Sequence, residues 1–354
     1  MASKRAVKVS IDLAALQHNF QQVKEYVVDS KIMPVIKANA YGHGILKIAE
    51  ALNQADGFAV AQLVEAIALR EGGISKPITV FQGFTHSSEL NQFIEYKLSP
   101  AISQVWQIDM LESAEFEHIA EMDLWLKINT GMGRLGVQPE EVEMSWQRLQ
   151  KIPWVKQMGV MMHFANADEP SHSSNQQQID NFLQLTNHLN ALSSVSNSAA
   201  IISQLFKHQD WVRPGIMLYG SSPVLNKTAQ ELDLQAVMSV EAELIAINQI
   251  SKGQTVGYGD TWTCPQDMSV GIVNIGYGDG YPRHAVTGTP VAVNGQLTQL
   301  IGRVSMDSIA VDLRNVSASC GDSVELWGKL IPVDDVALSS GTISYELLCG
   351  VGRA

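Results

Sequence analysis

The chain has 354 residues, 45% hydrophobic and 17% charged, the composition of a folded globular protein with room for two domains. Its formal net charge of -12 argues against a nucleic-acid partner or an anionic membrane surface, since both require a basic face, and favours an enzyme of small metabolites. Cys264, Cys320 and Cys349 are odd in number, far apart and without metal-type spacing, so neither a disulfide framework nor a metal site is expected, only thiols in a reducing compartment.

The first residues are charged and lack the apolar stretch of a signal peptide, and no later run reaches membrane-spanning length, so a cytoplasmic protein is expected. Residues 7–10 read as a short strand. Residues 11–27 carry Leu13, Leu16, Phe20, Val23 and Val27 at helical spacing, with Asp12 placed to cap. Strand-like and helix-like segments then alternate, with strands expected at 32–37, 57–61, 78–82, 99–102, 124–129, 158–163, weakly at 193–196, and at 211–214. Eight such units over 11–230 predict a parallel (β/α)8 barrel rather than an open doubly wound sheet. Lys37, Asn129, His163 and Arg213 fall at the carboxyl ends of these strands, where barrel chemistry sits.

Beyond residue 230 helical periodicity fades. Runs at 238–247, 268–275, 290–293, 300–304, 309–313 and 323–326, separated by Gly, Asn and Asp turns, predict a smaller, mostly β C-terminal domain over 231–354. Residues 221–231 are the expected linker, and the strand within 1–10 is expected to pair with this second domain. Gly276-Tyr-Gly-Asp-Gly280 looks like a nucleotide loop, but it lies in the β-rich tail with Pro282 close behind and has no dinucleotide βαβ unit around it.

The apolar run 32–36 leads into Lys37-Ala-Asn-Ala-Tyr-Gly-His-Gly44. An amine at the end of a buried strand is rigid and partly desolvated, which lowers its pKa and supplies a neutral nucleophile near pH 7. Such a lysine could form a Schiff base with an aldehyde cofactor, with Tyr41 and the Gly42/Gly44 turn close to a phosphate. A solvated lysine that merely ends a strand is the plainer reading.

The octet resembles the pyridoxal-phosphate lysine motif of alanine racemases, and the resemblance runs nearly end to end. It includes Leu126-Lys-Ile-Asn-Thr-Gly-Met-Gly-Arg-Leu-Gly-Val137, His163-Phe-Ala-Asn-Ala-Asp168, Asn197-Ser-Ala-Ala200 and Arg213-Pro-Gly-Ile-Met-Leu-Tyr-Gly220. Farther on stand Gly257-Tyr-Gly-Asp-Thr-Trp262, Ile275-Gly-Tyr-Gly-Asp-Gly-Tyr-Pro-Arg283, Gly302-Arg-Val-Ser-Met-Asp307 and Ser344-Tyr-Glu-Leu-Leu-Cys349, in the family's order.

The resemblance implies roles for these residues. Lys37 would hold pyridoxal 5'-phosphate and act as acid and base on one face of the substrate's α-carbon, with Tyr258 as the base on the other face; inversion needs one group to remove a proton and another to return it. The family's tyrosine comes from the neighbouring subunit, which implies a homodimer with composite sites. Arg213 would face the pyridine nitrogen and disfavour its protonation. Tyr41, Ser198, Gly215, Ile216 and Tyr345 would hold the phosphate. Arg134 would bond the cofactor's phenolic oxygen and the substrate carboxylate, and His163 would lie beside the ring, bonded to Arg213. Met306 would help hold the carboxylate through its amide, Tyr277 and Asp307 would form the entrance, and Lys127 matches a lysine that many members carry as a carbamate. The sequence departs from the family at Asn129, where aspartate is expected, and at Ser305, where cysteine or another small residue occurs.

The activity so implied is racemisation of alanine, supplying D-alanine for peptidoglycan. The alternatives are a racemase of broader range, whose relatives look exported, and a non-catalytic pyridoxal-phosphate carrier, which would resemble the barrel alone. A fold-related decarboxylase would lack the second base.

Overall fold

Short runs rich in Val, Ile and aromatic residues become strands in the computed structural model, which describes residues 7–116, 121–207 and 209–351. The first, β1 (Lys8–Ile11), lies outside the barrel. The barrel strands are β2 (Lys31–Ile32), β3 (Phe58–Val60), β4 (Ile78–Val80), β5 (Ser99–Ile102), β6 (Met122–Lys127), β7 (Val155–Met161), β8 (Leu192–Asn197) and β9 (Trp211–Arg213). They pair in parallel in the order β2-β9-β8-β7-β6-β5-β4-β3. A parallel bridge between Val35 and Ala59 joins the ends of this order, with the Ile36 N–H donating to the Ala59 carbonyl at 2.9 Å. The eight-stranded barrel expected from the alternation is therefore the fold. β3, β4 and β9 are buried throughout, as strands covered on both faces must be.

The expected strand 32–37 is shorter than its apolar run suggests. Pro34 has no N–H to give to a ladder, so regular pairing stops at Ile32 and resumes only as the bridge at Val35. Lys37 then begins a turn of its own. The expected strands 124–129 and 158–163 likewise end early, at Lys127 and Met161. Asn129 and His163 consequently sit on the loops above the barrel. The helix expected over 11–27 spans Leu13–Tyr26, and the Asp12 carboxylate accepts the N–H groups of Ala14 and Ala15.

The remaining strands are antiparallel: β10 (Met238–Ile250), β11 (Met268–Val273), β12 (Pro290–Val293), β13 (Gln296–Ile301), β14 (Ile309–Asp312) and β15 (Ser323–Trp327). With β1 they form one sheet, ordered β1-β10-β11-β14-β13-β12-β15. β10 also pairs with β15, so the sheet curls back on itself, and a register irregularity at Leu244/Ala246 lets the long strand turn from one set of neighbours to the other. Two helices, Val333–Ser339 and Ser344–Val351, end the described chain. Ser221, just past the barrel, ties them down: its hydroxyl donates to Asp334 at 2.6 Å and shares a 2.6 Å hydrogen bond with Ser344. That anchoring brings Tyr345 back to the barrel mouth, with its ring 5.8 Å from that of Tyr41. No helix among the described residues is long and apolar enough to cross a membrane.

Candidate active site

Lys37 is followed by four residues in left-handed conformation: Ala38 (φ 53), Asn39 (φ 55), Ala40 (φ 54) and Tyr41 (φ 52). For side chains with a Cβ this costs about 1–2 kcal/mol each, so surrounding contacts must over-determine the turn. They do so from several directions. Asn39 Oδ1 accepts the Ile45 N–H at 2.8 Å, and the Gly42 N–H donates to the Ala38 carbonyl at 3.0 Å. His43 Nδ1 lies 3.0 and 2.8 Å from the carbonyl oxygens of Ala40 and Tyr41, which only a donor N–H can satisfy. Burial pushes the His43 pKa down to about 4, so the ring is neutral, packed 4.6 Å from Tyr219. Nothing in the octet's composition signalled left-handed backbone at Ala38, Ala40 or Tyr41. Only the glycines φ 83 (Gly42) and φ 94 (Gly44) were legible as turn formers.

A cavity of about 320 Å³ opens at the carboxyl ends of the barrel strands. Lys37, Tyr41, Lys127, Arg134, His163, Ser198, Arg213, Gly215, Ile216 and Tyr345 line it together. Its walls are completed by Val35, Ala61, Phe81, Gln82, Leu135, Met161, Met162 and Asn197, none of which the sequence marked as site residues. Apart from Leu135 and Asn197, next to Arg134 and Ser198 in quoted motifs, they carry no local signal beyond lying at or near strand ends.

The cavity is strongly cationic in a chain of net charge -12. Burial, then Arg134, lowers the Lys37 pKa. Burial, then Arg213, Arg134 and Lys37, takes Lys127 down to about 8. Burial, then the same neighbouring cations, holds His163 well below the usual histidine range, so it is neutral. Arg213 is lowered to about 10 by burial and remains cationic at neutral pH. Burial raises the phenols of Tyr41 and Tyr345, keeping both as neutral donors. Cations and hydroxyls converging on one cavity suit a ligand with more than one negative group.

Arg213 is anchored by its own barrel. It donates to Ser194 Oγ at 2.6 Å, to the Met162 carbonyl at 2.6 Å and to the Val195 carbonyl at 3.3 Å. The hydrogen bond to His163 expected from the resemblance does not form among the described residues; Arg213 turns these three N–H groups to acceptors at the ends of β7 and β8 instead. The Ser198 hydroxyl accepts the Gly215 N–H at 2.7 Å. A Cβ at Gly215 would lie 2.9 Å from the Tyr41 hydroxyl, so glycine keeps this cradle open. Asn129 organises the loop that carries Arg134: its Oδ1 accepts the N–H groups of Gly131 and Gly133 at 3.3 and 2.9 Å, and its Nδ2 donates to Gln138 at 3.2 Å. An aspartate could make the first two bonds but not the third.

Tyr258, Tyr277, Met306 and Asp307 do not line this cavity. They lie on the β domain, where Tyr258 is 67% exposed and Met306 54%. One segment, 302–307, gathers them. Gly259 abuts the Arg303 guanidinium, the Tyr277 N–H donates to the Ser305 carbonyl at 3.1 Å, and the Gly278 N–H donates to Met306 at 2.8 Å. Among the described residues no group of three or more His, Cys, Asp or Glu could hold a metal ion.

Fold and cavity together define a barrel enzyme with a desolvated lysine amine in a cationic cavity, and a β domain carrying exposed aromatic loops. The sequence model described as "Alanine racemase, N-terminal domain" matches residues 11–223, and "Alanine racemase, C-terminal domain" matches residues 237–354. An alanine racemase of Nitrosomonas eutropha is 45% identical over 348 residues, covering 97% of this chain and 96% of the relative. A catabolic alanine racemase of Salmonella typhimurium is 43% identical over 349 residues, covering 98% and 97%. The crystal structure of the biosynthetic alanine racemase from Pseudomonas aeruginosa superposes with a TM-score of 0.95 at 41% identity, covering 98% of this chain and 97% of that one. This chain belongs to the alanine racemase family, enzymes of the isomerase class.

Proposed function

We propose that this protein interconverts L- and D-alanine with pyridoxal 5'-phosphate held at Lys37, in the cytoplasm, and that its D-alanine serves peptidoglycan synthesis. The observation that carries this reading is the buried Lys37 amine sharing one cavity with Arg134, Arg213 and the Tyr41–Ser198–Gly215 cradle. That donor set fits the cofactor: hydroxyls and backbone amides for a phosphate, a guanidinium for the ring nitrogen and another for a carboxylate. When bound, pyridoxal phosphate withdraws electrons from the substrate's α-carbon and makes its proton removable.

The chain's own groups would do the rest. Arg134 would hold the substrate carboxylate, and Arg213, cationic and anchored by Ser194, Met162 and Val195 with N–H groups to spare, would disfavour protonation of the ring nitrogen so that the α-carbon is promptly reprotonated. Lys37 moves the proton on one face. Tyr258, absent from this chain's own cavity and exposed on its surface, would reach the other face from a second copy, with Tyr277, Met306 and Asp307 narrowing the approach. The functional unit is thus a homodimer with two composite sites. Within each copy we divide the chain at 230/231, with residues 1–10 belonging to the β domain; β1 pairing with β10 supports the second point. Decay of the optical rotation of L-alanine to zero, by protein showing a visible cofactor band, tests the activity. A band with no loss of rotation would favour the carrier or another substrate.

Gly215→Ala is expected to weaken cofactor binding at least ~10-fold, because the new methyl would crowd the Tyr41 hydroxyl. Spectrophotometric titration with pyridoxal phosphate measures this, and unchanged affinity would remove Gly215 from the phosphate site.

Lys127 is proposed to be carbamylated. Its amine is neutral above a pKa of about 8, and the charged groups that act on it, Arg213, Arg134 and Lys37, are all cationic, so an added negative group would be stabilised there. With ¹³C-labelled carbon dioxide, a carbamate resonance should grow as pH rises through about 8 and be missing from Lys127→Ala. A spectrum identical in the two proteins would refute the modification.

A further inference from the structure

Helical turns after successive barrel strands open with one device. Glu65 accepts the N–H of Gln62, Glu89 that of His86, Gln107 that of Gln104 and Glu141 that of Gln138, at 3.0, 3.1, 3.1 and 2.9 Å. Such side chains satisfy donors that a helix start leaves orphaned, which is ordinary capping.

Glu65 does more. Its Oε2 accepts the N–H groups of Ala61 and Gln62 at 2.9 and 3.0 Å, while its Oε1 accepts the N–H of Ala38 at 2.6 Å. Ala38 follows Lys37 and begins the left-handed turn. Glu89, in contrast, uses only Oε2, for the N–H groups of Thr85 and His86 and the Thr85 hydroxyl. Gln107 shows how an amide fills the role: Oε1 accepts from Ser103 and Gln104, and Nε2 donates to the Phe84 carbonyl. An amide at residue 65 would instead point its NH₂ at the N–H of Ala38 or at those of Ala61 and Gln62. Acceptors are required at both ends, and only a carboxylate supplies them.

We propose that Glu65 is a positioning residue for Lys37: it clamps the left-handed turn to the start of helix Leu63–Glu71 and places a negative charge beside the lysine amine. This rests on the role proposed above for Lys37. The charged and titratable groups acting on that amine are the cationic Arg134, with Cys349 and Glu65 acting in the opposite sense, while Lys127 and the neutral His163 share the cavity. Glu65 is the carboxylate in this set. Its charge opposes the lowering of the Lys37 pKa by burial and Arg134.

The test follows pyridoxal phosphate uptake by the full chain, freed of cofactor, through its visible absorbance across pH. In Glu65→Gln the uptake midpoint should move down by about one pH unit, as loss of an adjacent opposite charge predicts. Glu65→Asp, which keeps the charge but is too short to bond both loops, should hold the midpoint near wild type and slow uptake about 10-fold. Glu89→Gln, which removes the charge from a comparable cap elsewhere while its amide oxygen can keep the bonds, should match wild type in both. An unshifted midpoint in Glu65→Gln, or an equal shift in Glu89→Gln, overturns the inference. If Glu65→Gln does not fold, Glu65→Asp decides alone, and wild-type uptake there overturns it too. Lys37→Ala separates the two readings. A band retained in Lys37→Ala overturns the role of Lys37 and this inference with it, whereas a band lost there beside an unshifted Glu65→Gln overturns the inference alone.

Discussion

Tyr258→Phe is expected to suppress exchange of the α-proton of L-alanine by about 100-fold or more, and that of D-alanine far less. The hydroxyl is the only group removed, and Tyr258 is 67% exposed on a loop that starts at Gly257, so folding should be unaffected. The asymmetry follows from the proposed one base per face, with the tyrosine, as the resemblance to the family implies, serving the L face and the lysine the D face. Equal exchange of both enantiomers at wild-type rates would refute the two-base assignment. A mixing experiment extends the test to the subunit arrangement. Combined Tyr258→Phe and Lys37→Ala proteins should recover roughly a quarter of the wild-type sites after exchange, because about half the dimers are then mixed and each mixed dimer holds one site with both bases intact. If the bases of one site came from the same copy, mixing would restore nothing.

Lys37→Ala is expected to abolish racemisation, by about 10⁴-fold or more, together with the visible band of the bound cofactor. Its stability should move the other way. In the folded chain the Lys37 pKa lies below its unfolded value, through burial first and Arg134 second, so the charged amine is disfavoured by folding below that unfolded value. Removing it deletes a desolvated cation from a cavity that also holds Arg134 and Arg213. With both proteins freed of cofactor, whose binding would itself stabilise the wild type, thermal unfolding at pH 7 should therefore occur at the same temperature as wild type or higher. A protein that lost both activity and several degrees of stability would mark Lys37 as structural.

The left-handed turn explains why such a lysine can be held where it is. A regular strand would have carried its side chain along the barrel axis or into the wall, alternating with its neighbours. Pro34 ends the regular pairing, and the turn that follows is held by Asn39, His43 and the carboxylate of Glu65. Each restraint is weak by itself. Together they fix four left-handed backbone conformations next to the Lys37 amine, the arrangement expected where function has been placed ahead of local preference.

The barrel could be read from the chain because its periodicity is local: buried parallel strands leave apolar runs, and helices between them repeat every three to four residues. The strand ends named Lys37, His163 and Arg213 as candidates for the same reason, and the ordered motifs identified the family. Strand boundaries were less legible, since Ile128 and Met162 are as apolar as the strands they follow, yet pairing stops at Lys127 and Met161. What no local pattern contains is the meeting of distant segments. The Tyr345 ring near Tyr41, the Ser194 hydroxyl on Arg213, the Glu65 carboxylate on Ala38 and the gathering of Tyr258 and Tyr277 on 302–307 join residues up to several hundred positions apart. Sequence alone determined the barrel and the family and singled out Lys37 as the candidate, because these depend on short-range spacing and residue type. Only the tertiary structure decided the cationic cavity, its lowered amines and the left-handed backbone beneath Lys37, because desolvation and charge coupling depend on which groups share a space.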